Sequence, residues 1–158
     1  MGNGDGAPLY FQGLLDVSAR MRTGDLSPVA VTETLLERIA GVDPALHSSA
    51  TVMADEARAA AHRAEEEIAA GSWRGPLHGV PVAVKDLCYT RGTRTMGGHA
   101  FLRDFVPDHD ATVVTRLADA GAVLLGKLSL TEAGQLYYDR AMTILNEIDE
   151  ARLAVSQL

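Results

Sequence analysis

The chain has 158 residues, 47% of them hydrophobic, with 21 acidic and 14 basic side chains (net charge −7) and one cysteine, Cys88. That length suits a single domain with a core of its own. One cysteine excludes an internal disulfide and a multi-cysteine zinc site, and an acidic balance without a basic patch argues against nucleic acid or anionic membrane as partner.

Residues 1–8 (MGNGDGAP) read as a flexible, Gly-rich leader. It lacks the positive charge and apolar stretch of a secretory signal, and no apolar run approaches the roughly 18 residues of a membrane span. A soluble, reducing, cytoplasmic setting is the expectation. Gly13 to Thr23 predicts a short helix with Leu15 and Val17 inward, stopped by Gly24. Ser27-Pro28 opens a second helix, since serine caps and proline suits the first turn. Val31, Leu35 and Ile39 recur at helical spacing, Gly41 ends the element, and Asp43-Pro44 marks a turn. Thr51-Val52-Met53 reads as a short strand. Asp55 to Ala70 follows as a helix with a stripe of small residues at Ala57, Ala60, Ala61 and Ala64, and Ile68 below them. Its charged face (Arg58, Arg63, Glu65, Glu66, Glu67) is expected to be solvated.

Val80 to Val84 reads as a buried strand, with Pro81 tolerated at its start. Residues 89–108 form a loop-rich stretch, and Asp110 is expected to cap a helix bearing Val113, Val114, Leu117 and Ala118. Ala122 to Leu125 reads as a second buried strand. Strand, helical crossover, then strand predicts a parallel α/β unit. Residues 135–158 hold neither Gly nor Pro and predict one amphipathic helix, with Ile144, Leu145, Ile148 and Val155 on its apolar stripe.

Only two of the fourteen basic residues are lysines, and both sit in or beside the most apolar segments. Lys127 nearly completes a phosphate loop, because Gly121 and Gly126-Lys127 have the right spacing. The required Ser or Thr is replaced by Leu128, and Ala-Val-Leu-Leu between the glycines favours strand over an open anion cradle. Lys127 therefore reads as a strand-end lysine with a packed stem and an ammonium in solvent or paired. Lys85 closes a strand that is apolar throughout, which carries its amine towards the interior or the mouth of a cleft. Two readings stay open for it: a salt bridge, or a neutral catalytic amine. Adjacent strand residues point to opposite faces, so Asp86 is a poor partner for Lys85. Asp108-His109-Asp110 reads as a loop, the five histidines form no metalloprotease pair, and Cys88 reads as a structural thiol.

The run Gly75-Pro76-Leu77-His78-Gly79-Val80-Pro81-Val82-Ala83-Val84-Lys85-Asp86 resembles the strand-and-lysine motif of the amidase signature family. The likeness continues through Thr90, Gly92, Thr95 and Gly97, then Asp110-Ala111-Thr112-Val113-Val114, to Gly121-Ala122-Val123-Leu124-Leu125-Gly126-Lys127 and Leu130-Thr131-Glu132. It covers about residues 9–134. The resemblance implies amide hydrolysis by a serine, cis-serine, lysine triad, with Lys85 as its lysine and no metal or organic cofactor. In this family both serines follow in a Gly/Ser-rich segment. None of the seven serines here (Ser18, Ser27, Ser48, Ser49, Ser72, Ser129, Ser156) stands at those positions. The expected fold is α/β: N-terminal helices packed on an incomplete, mostly parallel sheet, plus the divergent helix at 135–158. Two functional readings follow. One is a member of an amide-hydrolysing family that is silent as these 158 residues. The other is a non-catalytic interaction or oligomerisation module using the exposed sheet edge or residues 135–158.

Overall fold

A computed structural model describes residues 8–129. Four helices, α1 (Leu14–Thr23), α2 (Pro28–Leu46), α3 (Ala54–Ala69) and α4 (Thr112–Asp119), accompany three strands, β1 (Ser49–Val52), β2 (Pro81–Lys85) and β3 (Val123–Leu128). The strands lie in the order β1-β3-β2; β2 runs parallel to β3 and β1 runs antiparallel to it. This is the expected α/β architecture, with a mixed sheet. The leader residues 1–7 and the helix expected at 135–158 lie outside the described residues.

Local chemistry explains the helix limits. Gly24, at φ 79°, ends α1 where the sequence places the stop. Val17, Ser18 and Met21 face inward, but Leu15 is 70% exposed, because Val17 and Met21 are one turn apart and Leu15 lies off that stripe. Ser27 caps α2 by accepting the Ala30 N–H at 3.1 Å, and Pro28 fills the first turn. The helix then runs past Gly41 and takes Pro44 into its last turn, where proline removes a single backbone donor. Closure comes at His47, in the left-handed conformation, whose N–H reaches the Asp43 carbonyl at 2.7 Å. Asp43 Oδ1 also accepts the Ser48 and Ser49 N–H groups, each at 2.9 Å, and so turns the chain into β1.

The main core lies between α2, α3 and β3, where Leu36, Ala57, Ala61, Val123 and Leu125 are buried together. The alanine stripe lets α3 approach this layer closely. A second cluster (Val17, Met21, Val31, Val80) seats α1 and α2 against the lead-in to β2. The charged side of α3 is not simply solvated. Glu65 accepts from the Ser27 hydroxyl, and Arg58 makes a forked pair with Glu33 of α2, at 2.7 and 3.2 Å. Asp110 does not cap α4, whose first flanking residue is Ala111. Its carboxylate instead accepts the Arg91 N–H at 2.7 Å, pinning the loop that leads to the helix.

β2 departs from expectation as well. Among the described residues β3 is its only strand partner, so of its five residues only Val84 is buried, while Ala83 and Lys85 are exposed. The β2–β3 register shifts by one residue between Val82 and Ala83, after which Val84 pairs with Lys127 and Lys85 with Leu128.

Candidate active site

The chemistry-bearing residues gather where β2 and β3 end. Lys85 closes β2 with its side chain exposed beside Leu128, so of the two destinations the apolar strand suggested, the interior is excluded and the mouth of a cleft is left. Its carbonyl accepts the Cys88 N–H at 2.9 Å, and the next amide, Asp86 N–H, donates to Leu128 O at 2.9 Å. A tight turn thus leaves the sheet directly at Lys85.

Asp86 points the other way and is buried, as the alternation of strand faces requires. Its Oδ2 accepts the Met96 N–H at 3.1 Å, and its carbonyl accepts the Gly97 N–H at 2.9 Å. Its Oδ1 lies 3.3 Å from Nζ of Lys127, which is only 1% exposed. Lys127 also donates to Arg94 O at 3.3 Å and to the Thr95 hydroxyl. Two hydrogen bonds and one carboxylate at ion-pair distance thus surround the ammonium, as a buried charge needs. Burial pushes the Lys127 amine below the ordinary lysine value, against the opposing pull of Asp86. The sequence left open whether this ammonium is solvated or paired; it is paired and fully enclosed. The stretch from Gly121 to Lys127 is a turn followed by strand, with no open phosphate cradle.

A further residue went unassigned in the sequence. The His78 ring is completely buried, accepts the Arg74 N–H at Nδ1 (3.1 Å) and places Nε2 3.0 Å from Glu67 Oε2. Burial pushes its imidazole below the ordinary histidine value, with Glu67 opposing. Because Nδ1 accepts the Arg74 N–H, the neutral ring carries its proton on Nε2, the nitrogen that faces the Glu67 carboxylate. Arg74, paired with Glu67, holds that carboxyl below its usual range. Histidine between Leu77 and Gly79 in a Gly/Pro-rich lead-in was the available signal, and the ring joins structural elements.

No group of three or more His, Cys, Asp or Glu side chains among the described residues is arranged to hold a metal ion. Asp108 and His109 form an exposed pair at 2.7 Å. No described helix is long and apolar enough to cross a membrane.

The family model described as Amidase matches residues 30–146. The chain belongs to the amidase signature family. This amidase-family chain is 50% identical over 125 residues to a putative amidase, AmiD, of Mycobacterium tuberculosis, covering 79% of this chain and 26% of that protein. It is 46% identical over 117 residues to a glutamyl-tRNA(Gln) amidotransferase subunit of Halorhodospira halophila, covering 74% and 24%. Its fold matches the peptide amidase of Stenotrophomonas maltophilia with a TM-score of 0.73 and 39% identity, over 79% of this chain and 26% of that one. The amidase-family chain therefore spans about a quarter of the length of these relatives.

Proposed function

We propose that Lys85 is the lysine of an amide-hydrolysing serine, cis-serine, lysine triad, acting on a small-molecule amide in the complete catalytic unit. In that role its amine exchanges a proton with the cis-serine, which activates the nucleophilic serine. The observation that carries the reading is positional: Lys85 ends β2, which pairs parallel with β3, within the run that resembles the family's lysine motif. Its exposure supports the same reading, because an amine that serves groups supplied by other segments must be accessible to them.

Alone, the 158 residues supply neither the serine pair nor the oxyanion donors, and the chain is expected to be silent towards simple amides. Ammonia release that disappears in Lys85→Ala would overturn that expectation. The role of Lys85 is tested by grafting residues 30–129 in place of the matching stretch of the peptide amidase. The graft is expected to hydrolyse amides, and Lys85→Ala within it to lower kcat at least about 1,000-fold. A grafted enzyme indifferent to that substitution would remove the reading.

A second reading has its own observation. Among the described residues β2 has no strand partner on the side away from β3, and Leu87, just beyond its end, is 59% exposed, a surface suited to contact with another chain or a second copy. Light scattering tests it; a monomer at all concentrations would speak against self-association.

A further inference from the structure

Lys127 is the only fully buried lysine or arginine among the described residues, and its contacts share one destination. Asp86, Arg94 and Thr95 all belong to the segment that leaves β2 at Lys85 and returns over the end of the sheet. A single ammonium on β3 therefore ties down both the exit and the return of that segment. Asp86 passes the restraint on, because its other oxygen and its carbonyl hold the Met96 and Gly97 amides.

Energetics argue that this pair does more than stabilise. Apolar residues of similar volume are often as good as a buried ion pair, or better, since removing two charges from water offsets their attraction. A buried pair supplies direction that packing lacks: Lys127 donates to Arg94 O and the Thr95 hydroxyl and faces Asp86 Oδ1, while Asp86 Oδ2 takes the Met96 N–H. Lys85 is the residue placed by that direction. Its carbonyl is bound to Cys88, its successor is held by Lys127, and its strand register is set against Leu128.

We propose that Lys127 is a positioning residue for Lys85: through Asp86 and the returning segment at Arg94 and Thr95, it fixes where the Lys85 side chain leaves the sheet. The functional meaning rests on Lys85 being the triad lysine; the geometric restraint does not.

The chain contains two lysines, so selective carbon-13 labelling gives one side-chain signal set for each. The decisive variant is the double Lys127→Met/Asp86→Leu, which removes both charges and keeps the space filled. It is expected to remain folded, although the Met96 N–H and the Thr95 hydroxyl lose their side-chain partners, while the Lys85 side-chain signals move. The Cys88 and Gly97 amides, whose hydrogen bonds involve no replaced side chain, are expected to lose at least about tenfold protection from exchange, while Ala61 in α3 keeps its protection. A folded double variant with Lys85 signals and Cys88 and Gly97 protection unchanged would overturn the proposal, because the pair would then only fill space. Should the double variant not fold, Thr95→Val removes one acceptor at nearly constant shape. A shift of the Lys85 signals and about threefold less protection at Cys88 are expected there, and their absence overturns the proposal equally. None of these readouts involves catalysis. A failed amidase graft and a failed positioning experiment are therefore separate results.

Discussion

His78 Nε2 lies 3.0 Å from Glu67 Oε2, joining the lead-in of β2 to the C-terminal part of α3 through a ring with no solvent exposure. Because burial holds the imidazole below its ordinary value, the unfolded chain takes up a proton more readily than the folded one. The stability supplied by neutral His78 is complete above the unfolded histidine value, about 6.5, and is lost as pH falls through the lower folded value. Arg74 and Glu67 are the charged groups against the ring, and the lowered Glu67 carboxyl adds its own loss only at more acid pH. Urea midpoints measured from pH 8 to pH 5 are expected to fall more steeply for the wild type than for His78→Gln. Equal slopes would show that His78 is not responsible.

Gly121 packs on the same ring. A Cβ added there would lie 2.4 Å from His78 Cδ2, at a φ of 78°. Gly121→Ala therefore combines a left-handed backbone penalty with overpacking and is expected to destabilise the chain by about 2–4 kcal/mol. Gly92 is the control, since its φ is 72° but nothing lies within 4 Å of the added carbon. Gly92→Ala should lose only about 1–2 kcal/mol. Comparable urea curves for the two variants would contradict this.

The two lysines are expected to separate cleanly in stability. Lys85→Ala removes an exposed side chain and should leave the free energy of unfolding within about 0.5 kcal/mol of wild type. Lys127→Ala strands the buried Asp86 carboxylate and should lose about 3–5 kcal/mol. Chemical denaturation of the two variants checks this, and a destabilised Lys85→Ala would show contacts beyond those described.

At Gly126, where φ is 155°, an added Cβ would stand 2.3 Å from the Thr51 carbonyl, a backbone atom that cannot swing aside. Gly126→Ala is expected to push β1 off β3 at a loss of about 3 kcal/mol. Hydrogen exchange reads the change locally. The Met53 amide, bound to Leu125 O at 2.8 Å, and the Ser129 amide, bound to Ser48 O at 2.8 Å, should both lose protection. Intact protection at both amides would contradict it.

Much of the fold follows from short-range patterns. The Ser27-Pro28 helix start, the Gly24 stop and the alanine stripe of α3 depend on neighbouring residues, and so does the strand–helix–strand order that makes β2 and β3 parallel. The first three are legible because their physical cause lies within a turn or two of the residue concerned, and the last because a helical crossover brings the chain back to pair in the same direction. Asp43 and Asp110 show the limit. Both carboxylates read as local turn or cap signals, yet they bind backbone amides that the fold delivers: Ser48 and Ser49 to Asp43, and Arg91 to Asp110.

The amino-acid sequence alone determined the α/β class, the family resemblance carried from Gly75 to Lys127, and the opposite orientations of Lys85 and Asp86, which follow from strand alternation. Tertiary structure decided which lysine is buried. An apolar run cannot reveal whether its strand has neighbours on one side or two, and the one-residue register shift between Val82 and Ala83 is set by pairing with β3. That pairing leaves Lys85 exposed beside Leu128 and encloses Lys127 with Asp86, two charges that come together only when the strands do.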